Sequence, residues 1–186
     1  QVSRDVTINS NPSLTSLTGL NNLVQLRHFR LVGNDALTDL TGLTSLERVN
    51  GNLIIGDNFL GARGNDAMTS LTGAPALVMV GSELRIEENP SLVDLDGPEG
   101  LTNVGGLRLK KNSALNDLSG LSNITQIDGQ LRIEDNDALV DLAGLSALQT
   151  VGNRTTITEN QSLSHLDGLS SLTDPGSSLT ITNNPS

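Results

Sequence analysis

A six-residue phrase, apolar–any–apolar–any–any–Asn, recurs eight times in these 186 residues. It stands at Val6, Ile8 and Asn11, at Phe29, Leu31 and Asn34, at Leu53, Ile55 and Asn58, and at Leu84, Ile86 and Asn89. It returns at Leu107, Leu109 and Asn112, at Leu131, Ile133 and Asn136, at Thr155, Ile157 and Asn160, and at Leu179, Ile181 and Asn184. Successive asparagines lie 23, 24, 31, 23, 24, 24 and 24 residues apart. A period of that size, held from one end to the other, argues against an irregular globular core and for a solenoid in which each repeat packs on its neighbours.

A second phrase, L-x-x-L-x-G-L-x-x-L-x-x-V, follows each asparagine, most clearly at Leu37–Val49, Leu115–Ile127 and Leu139–Val151. The two 23-residue turns step from Leu26 to Phe29 and from Val104 to Leu107 in three residues, where the others take four. The 31-residue turn carries about seven extra residues within Asn58–Asp66, and the insertion is placed at about 59–66. Residues 1–186 thus read as one solenoid domain, seven full repeats and the first strand of an eighth, about eight rungs in all. The closing phrase Leu179–Ser186 is in phase with Val6–Ser13. That predicts either a segment of a longer repeat protein or a subunit whose two ends mate.

The physics of the repeat is direct. In L-x-I the two apolar side chains share one face of a short strand and the middle residue points the other way. One such strand cannot bury its apolar face alone, but parallel stacking about 4.8 Å apart lines the leucines into inward columns. The glycine of L-x-x-L-x-G fits a corner needing positive φ. The ladder Asn11, Asn34, Asn58, Asn89, Asn112, Asn136, Asn160 and Asn184 is expected to turn inward, since stacked carboxamides can satisfy one another and the turn backbone. Composition agrees: the only aromatics are Phe29 and Phe59, so the interior must be built from mid-sized aliphatics.

Val80–Gly97 ("VGSELRIEENPSLVDLDG") and Gly105–Leu121 ("GGLRLKKNSALNDLSGL") resemble the receptor L domain. That family is a right-handed, leucine-rich-repeat-like β-solenoid found in the ectodomains of insulin and epidermal-growth-factor receptors. The wording L-x-x-L-x-G-L-x-x-L is similar to the L-domain-like repeats of bacterial and other microbial surface proteins. The resemblance covers essentially the whole chain. It implies a mainly β, receptor-L-domain-like solenoid, secreted or displayed at the cell surface, working in recognition, adhesion or structure without catalysis. Receptor L domains carry cysteines and a capping helix, whereas this chain has no cysteine and no amphipathic helical stretch, and none of the family's hormone-binding residues is matched here.

Chemistry has few footholds. A net charge of −10 argues against nucleic acid as a partner. No apolar run approaches a membrane span, so insertion into a bilayer is not expected. The absence of cysteine excludes thiolate metal sites and thiol catalysis. His28 and His165 are the only histidines, and His165 takes a position held by Asp39, Ser70, Asp94, Asp117 and Asp141 elsewhere. No nucleophile–base set, phosphate-cradling loop or calcium loop of known spacing appears. No catalytic residue, metal or cofactor is therefore expected. The sequons at Asn123, Asn153 and Asn160 are what a chain rich in Asn, Ser and Thr produces by chance, and Asn160 belongs to the ladder.

The outward face of the main strand is more informative. Its middle column reads Thr7, Arg30, Ile54, Arg85, Arg108, Arg132, Thr156 and Thr180; two residues on, Glu87, Lys110 and Glu134 alternate in sign. Three arginines on neighbouring rungs repel unless compensated, and the alternating column offers cross-strand partners. The candidate ligand-binding set is accordingly Arg30, Arg85, Arg108, Arg132, Glu87, Lys110 and Glu134. It reads either as a charge-compensated solvated face or as a stripe for an acidic or polyhydroxylated ligand, a protein or a surface glycan. The competing function class is structural: end-to-end self-association into a fibre or stalk.

Overall fold

A computed structural model describes residues 4–57 and 64–185. In chain order its strands are β1 (Val6–Asn9), β2 (Gln25–Leu26), β3 (Phe29–Val32), β4 (Arg48–Val49), β5 (Leu53–Ile55), β6 (Met79–Glu87), β7 (Asn103–Lys110), β8 (Gln126–Ile127), β9 (Leu131–Glu134), β10 (Thr150–Val151), β11 (Arg154–Thr158) and β12 (Ser178–Thr182). The L-x-I segments pair in the order β1-β3-β5-β6-β7-β9-β11-β12, every pairing parallel. A second, shorter ladder forms where each repeat returns, through β2, β4, β6, β7, β8 and β10. β6 and β7 are long enough to turn the corner and belong to both. The molecule is a parallel β-solenoid of about seven turns, as the periodicity predicts.

The register stacks like on like. Phe29, Leu53, Leu84, Leu107 and Leu131 are successive partners, as are Leu31, Ile55, Ile86, Leu109 and Ile133. All ten are at most 2% exposed. The second phrase supplies parallel columns on the far wall, among them Leu40, Leu71, Leu95, Leu118 and Leu142, all buried. Each fully buried leucine is worth roughly 1.5–3 kcal/mol relative to exposure. The repeated columns therefore form one continuous core rather than separate ones.

The asparagine corner shows why the phrase ends as it does. Ser10, Glu88, Lys111, Asp135, Glu159 and Asn183 each adopt left-handed φ between 56° and 62°, and each immediately precedes a ladder asparagine. That turn swings the asparagine inward, where Asn34, Asn89, Asn112, Asn136 and Asn160 are completely buried. The amide of Asn112 is representative: its Nδ2 donates to Ile86 O at 3.0 Å and to Asn136 Oδ1 at 3.2 Å, while its Oδ1 accepts from Asn89 N at 3.2 Å. At the third rung the ladder residue is Asn65, whose Oδ1 accepts from Asn34 N and whose N–H donates to Asn89 Oδ1. This corrects the placement of Asn58 in the ladder; Asn58 lies outside the described residues. The extra residues precede the ladder asparagine, and Asn65 and Asp66 of the expected insertion belong to the regular corner.

The glycine of the second phrase is a second correction. Gly19, Gly42, Gly73 and Gly97 do have φ between 110° and 134°. Gly120, Gly144 and Gly168 instead lie in short 3-10 turns without positive φ. A Cβ there would overlap the carbonyl oxygen of Leu95, Leu118 or Leu142 on the preceding rung. In these turns close stacking, not backbone handedness, demands glycine.

Candidate recognition face

The outward column falls on neighbouring rungs as the spacing requires. Arg85, Arg108 and Arg132 are consecutive register partners, and Arg30 stands apart from them across Ile54. Two residues further on, Glu87 pairs in register with Lys110, and Lys110 with Glu134. Short, tightly paired strands hold the backbone of these residues, so the arrangement of charge is built in before any ligand arrives.

Every cation of the set is engaged. Arg30 Nη1 donates to Asp57 Oδ2 at 2.5 Å. Arg85 donates through Nε and Nη2 to Glu83 Oε2, at 3.1 and 2.6 Å. Arg132 donates in the same way to Glu134 Oε1, and Lys110 Nζ reaches Glu134 Oε2 at 3.1 Å and Asp135 Oδ2 at 3.7 Å. Arg108 Nε lies 2.6 Å from Glu87 Oε1, pairing the guanidinium with a buried carboxylate. Beside the face, Lys111 pairs with Glu88 at 2.9 Å. Five cations thus meet five carboxylates: Asp57, Glu83, Glu87, Glu134 and Asp135.

Burial sharpens the arrangement. The Glu87 side chain is only 1% exposed and that of Glu134 7%, yet both lie in outward columns. Burial alone raises the Glu134 pKa, but hydrogen bonds from Arg132 and Lys110 outweigh it and hold the carboxyl below its ordinary value. Burial likewise works against the Arg85 charge, and is overcome by the Glu83 hydrogen bonds and the field of Glu83, Glu87 and Asp57, which raise its pKa. The arginine side chains remain 21–36% exposed, so part of each guanidinium is still presented outward. The face therefore offers fixed donors and acceptors with no net positive charge.

Sequence reasoning named Glu87, Lys110 and Glu134 as compensating charges but not Asp57, Glu83 or Asp135. Glu83 was findable: it sits two residues before Arg85 on the same strand, which puts both on one face. His28 uses Nδ1 to accept the Asn52 N–H at 2.9 Å, a corner-bracing role. His165 lies exposed at the far end of the solenoid. Among the described residues no three His, Asp or Glu side chains come together in a way that could hold a metal ion. No helix there is long and apolar enough to cross a membrane.

Fold and face together define a parallel β-solenoid with a charge-balanced outward sheet. Comparison with protein-family models, curated proteins and solved structures yields no match to this chain.

Proposed function

We propose that this protein is a non-enzymatic recognition or adhesion module of the cell surface or extracellular space, binding a glycan or protein through the outward sheet face. The observation that carries this reading is the set of Arg85, Arg108 and Arg132 on consecutive rungs, each held by a carboxylate. Such side chains lose little conformational freedom on binding, which is the main cost of using long charged residues. Their charge balance favours a neutral polyhydroxylated ligand, or a protein surface of mixed charge, over an acidic polymer. The test is a panel of immobilised glycans and cell-surface extracts, with the Arg85→Ala, Arg108→Ala, Arg132→Ala triple variant as control. Loss of at least tenfold in affinity is expected; a triple variant that binds like the parent sinks the reading.

A second reading has its own observation. Asn160 donates through N and Nδ2 to Asn184 Oδ1. Among the described residues Asn184 Nδ2 donates to Ile157 O and Thr182 O, and none of them supplies the Oδ1 acceptor that the next asparagine provides elsewhere in the ladder. Asn11, at the first rung, carries a matching Oδ1, and β1 repeats the β12 pattern. A second copy stacked β12 on β1 continues both sheet and ladder. Filaments in electron microscopy that vanish in Leu179→Lys support this structural role; a strict monomer at high concentration removes it.

A further inference from the structure

The residue just before the first inward position of each main strand forms a column at the corner: Asp5, His28, Asn52, Glu83, Gly106, Gln130, Arg154 and Ser178. Only Gly106 lacks a side chain there. The pairing of β6 with β7 shifts at this point, from Val80↔Val104 to Glu83↔Gly106, because β7 crosses the corner in one residue fewer. The backbones of Glu83 and Gln130 thus stand two rung spacings apart, about 9.6 Å, with no side chain from the rung between them. That gap opens into a groove of about 450 Å3 whose walls also include Asp128 and Asn153. That volume lies within the roughly 300–1,000 Å3 common for small-molecule sites.

The glycine at 106 has no architectural cause. At Gly81, Gly105 and Gly129 a Cβ would overlap the carbonyl oxygens of Asn50, Ser82 and Gly105, so those glycines are needed for stacking. Gly106 has no positive φ, and a Cβ on it would meet nothing nearer than Gln130 O at 3.5 Å, an ordinary contact. The other three-residue corner, Leu26 to Phe29, carries His28 at the same place, so a short corner does not itself require glycine. What Gly106 does is keep the groove open.

The walls have spare hydrogen-bonding capacity. Both bonds from Arg85 go to Glu83 Oε2, which leaves Oε1. Asp128 Oδ1 accepts from Gln126 Nε2 at 2.7 Å, which leaves Oδ2. The carboxamides of Gln130 and Asn153 supply donors and acceptors. The Glu83 charge is matched by Arg85, and Arg154 stands one rung beyond Gln130, so the groove favours a neutral ligand over a cation.

We infer that this groove is a saccharide subsite, seating a sugar unit of a neutral glycan. Hydroxyls of that unit donate to Glu83 and Asp128 and accept from Gln130 and Asn153. The inference rests on the recognition reading above and places its ligand at the corner beside Arg85, rather than on the arginine column itself.

The test is amide-resolved NMR of the whole chain with the methyl glycosides of mannose, glucose, galactose, xylose and N-acetylglucosamine, each to about 50 mM, sufficient to detect a Kd near 10 mM. At least one should shift the amides of Gly105, Gly106, Gly129 and Gln130 saturably. Gly106→Gln, which fills the gap, should weaken that binding at least tenfold with an unchanged thermal midpoint. Should that variant fail to fold, Gln130→Ala with Asn153→Ala removes the amide donors and should cause the same loss. Groove shifts unaffected by both variants overturn the inference, as do shifts from none of the five glycosides. Shifts confined to the rungs of Arg108 and Arg132 overturn it while leaving the recognition reading intact. Groove shifts produced by methylammonium but by no glycoside also overturn it, by making this an ammonium site.

Discussion

Truncating one asparagine in the middle of the ladder should unseat more stability than its small side chain suggests. In Asn112→Ala four hydrogen bonds disappear: those received from Asn89 N and Nδ2, and those given to Ile86 O and Asn136 Oδ1. The Asn89 side chain keeps its bonds to Ile55 O and Glu87 O, but the buried Asn89 N–H has its ladder acceptor removed. An orphaned buried donor costs about 1–3 kcal/mol, and each further bond is worth about 0.5–1.5 kcal/mol net. With the small void left behind, the loss is expected near 4 kcal/mol, within about 3–6. Asn11→Ala is the control. That residue is exposed and, among the described residues, donates only to Asn34 Oδ1 and Asn9 O, so about 1 kcal/mol or less should be lost. The chain has no Trp or Tyr, so urea unfolding is followed by far-ultraviolet circular dichroism. With a slope of about 2–3 kcal/mol per molar urea, the Asn112→Ala midpoint should fall by roughly 1.5–2 M. Hydrogen exchange at the Asn89 amide should accelerate in step. Equal shifts for the two variants, or an interior loss under about 1 kcal/mol, would refute the claim that ladder bonds carry the corner.

Three further outcomes follow from the same geometry. Gly105→Ala should destabilise strongly because its Cβ enters the space of the Ser82 and Gly81 carbonyls, whereas Gly106→Ala should be neutral or gain up to about 1 kcal/mol; matched urea curves decide, and equal losses contradict the contrast. The Glu134 pKa is held below its ordinary value, so the stability it contributes is present above the unfolded pKa and drains away as pH falls through the lower folded one. Stability of Glu134→Gln should therefore fall less steeply than the parent's below about pH 4.5, and parallel pH profiles would count against the pairing. A hydrogen bond to Asp135 and the repulsion between the two groups raise the Glu159 pKa, and Glu159 sits at φ 62°, so Glu159→Asn should raise the midpoint at neutral pH by removing repulsion with a residue that tolerates this φ; a lower midpoint opposes that account.

The fold was readable because each rung repeats the same two solutions, an alternating strand and an inward asparagine. The misplacement at Asn58 shows the weakness of counting. Holding the period at 24 from Asn34 led to Asn58, whereas the residues around Asn65 repeat the words themselves: "NDAM" at 65–68 answers "NDAL" at 34–37 and at 136–139. Local chemistry was the better guide, since Met68 is fully buried just as Leu37 is. The outward face was half legible. Partners across strands follow from register, which periodicity supplies, but Asp57 and Asp135 reach the face from the corner, where the chain leaves the strand. The groove was invisible because its cause is relational: a three-residue step is harmless where His28 fills the column and opens a gap where Gly106 does not.

That contrast explains why a solenoid this regular can carry one specific site. Inward columns are locked, because a change of even a methylene is felt by the rungs above and below. Outward columns carry one residue per rung at a fixed spacing of about 4.8 Å, so a surface is written one side chain at a time. Arg85 joins the two features: its guanidinium belongs to the arginine column, while its partner Glu83 forms the groove wall. A ligand that drew Glu83 Oε2 away from Arg85 would release that guanidinium toward the stripe. A ligand confined to Oε1 leaves the pair intact. Arg85→Lys separates the cases, because lysine keeps the charge but cannot hold one oxygen through a two-donor fork. If groove binding persists in Arg85→Lys, the groove acts alone; if it weakens about tenfold, Glu83 must be held by the fork for the ligand to find its oxygen.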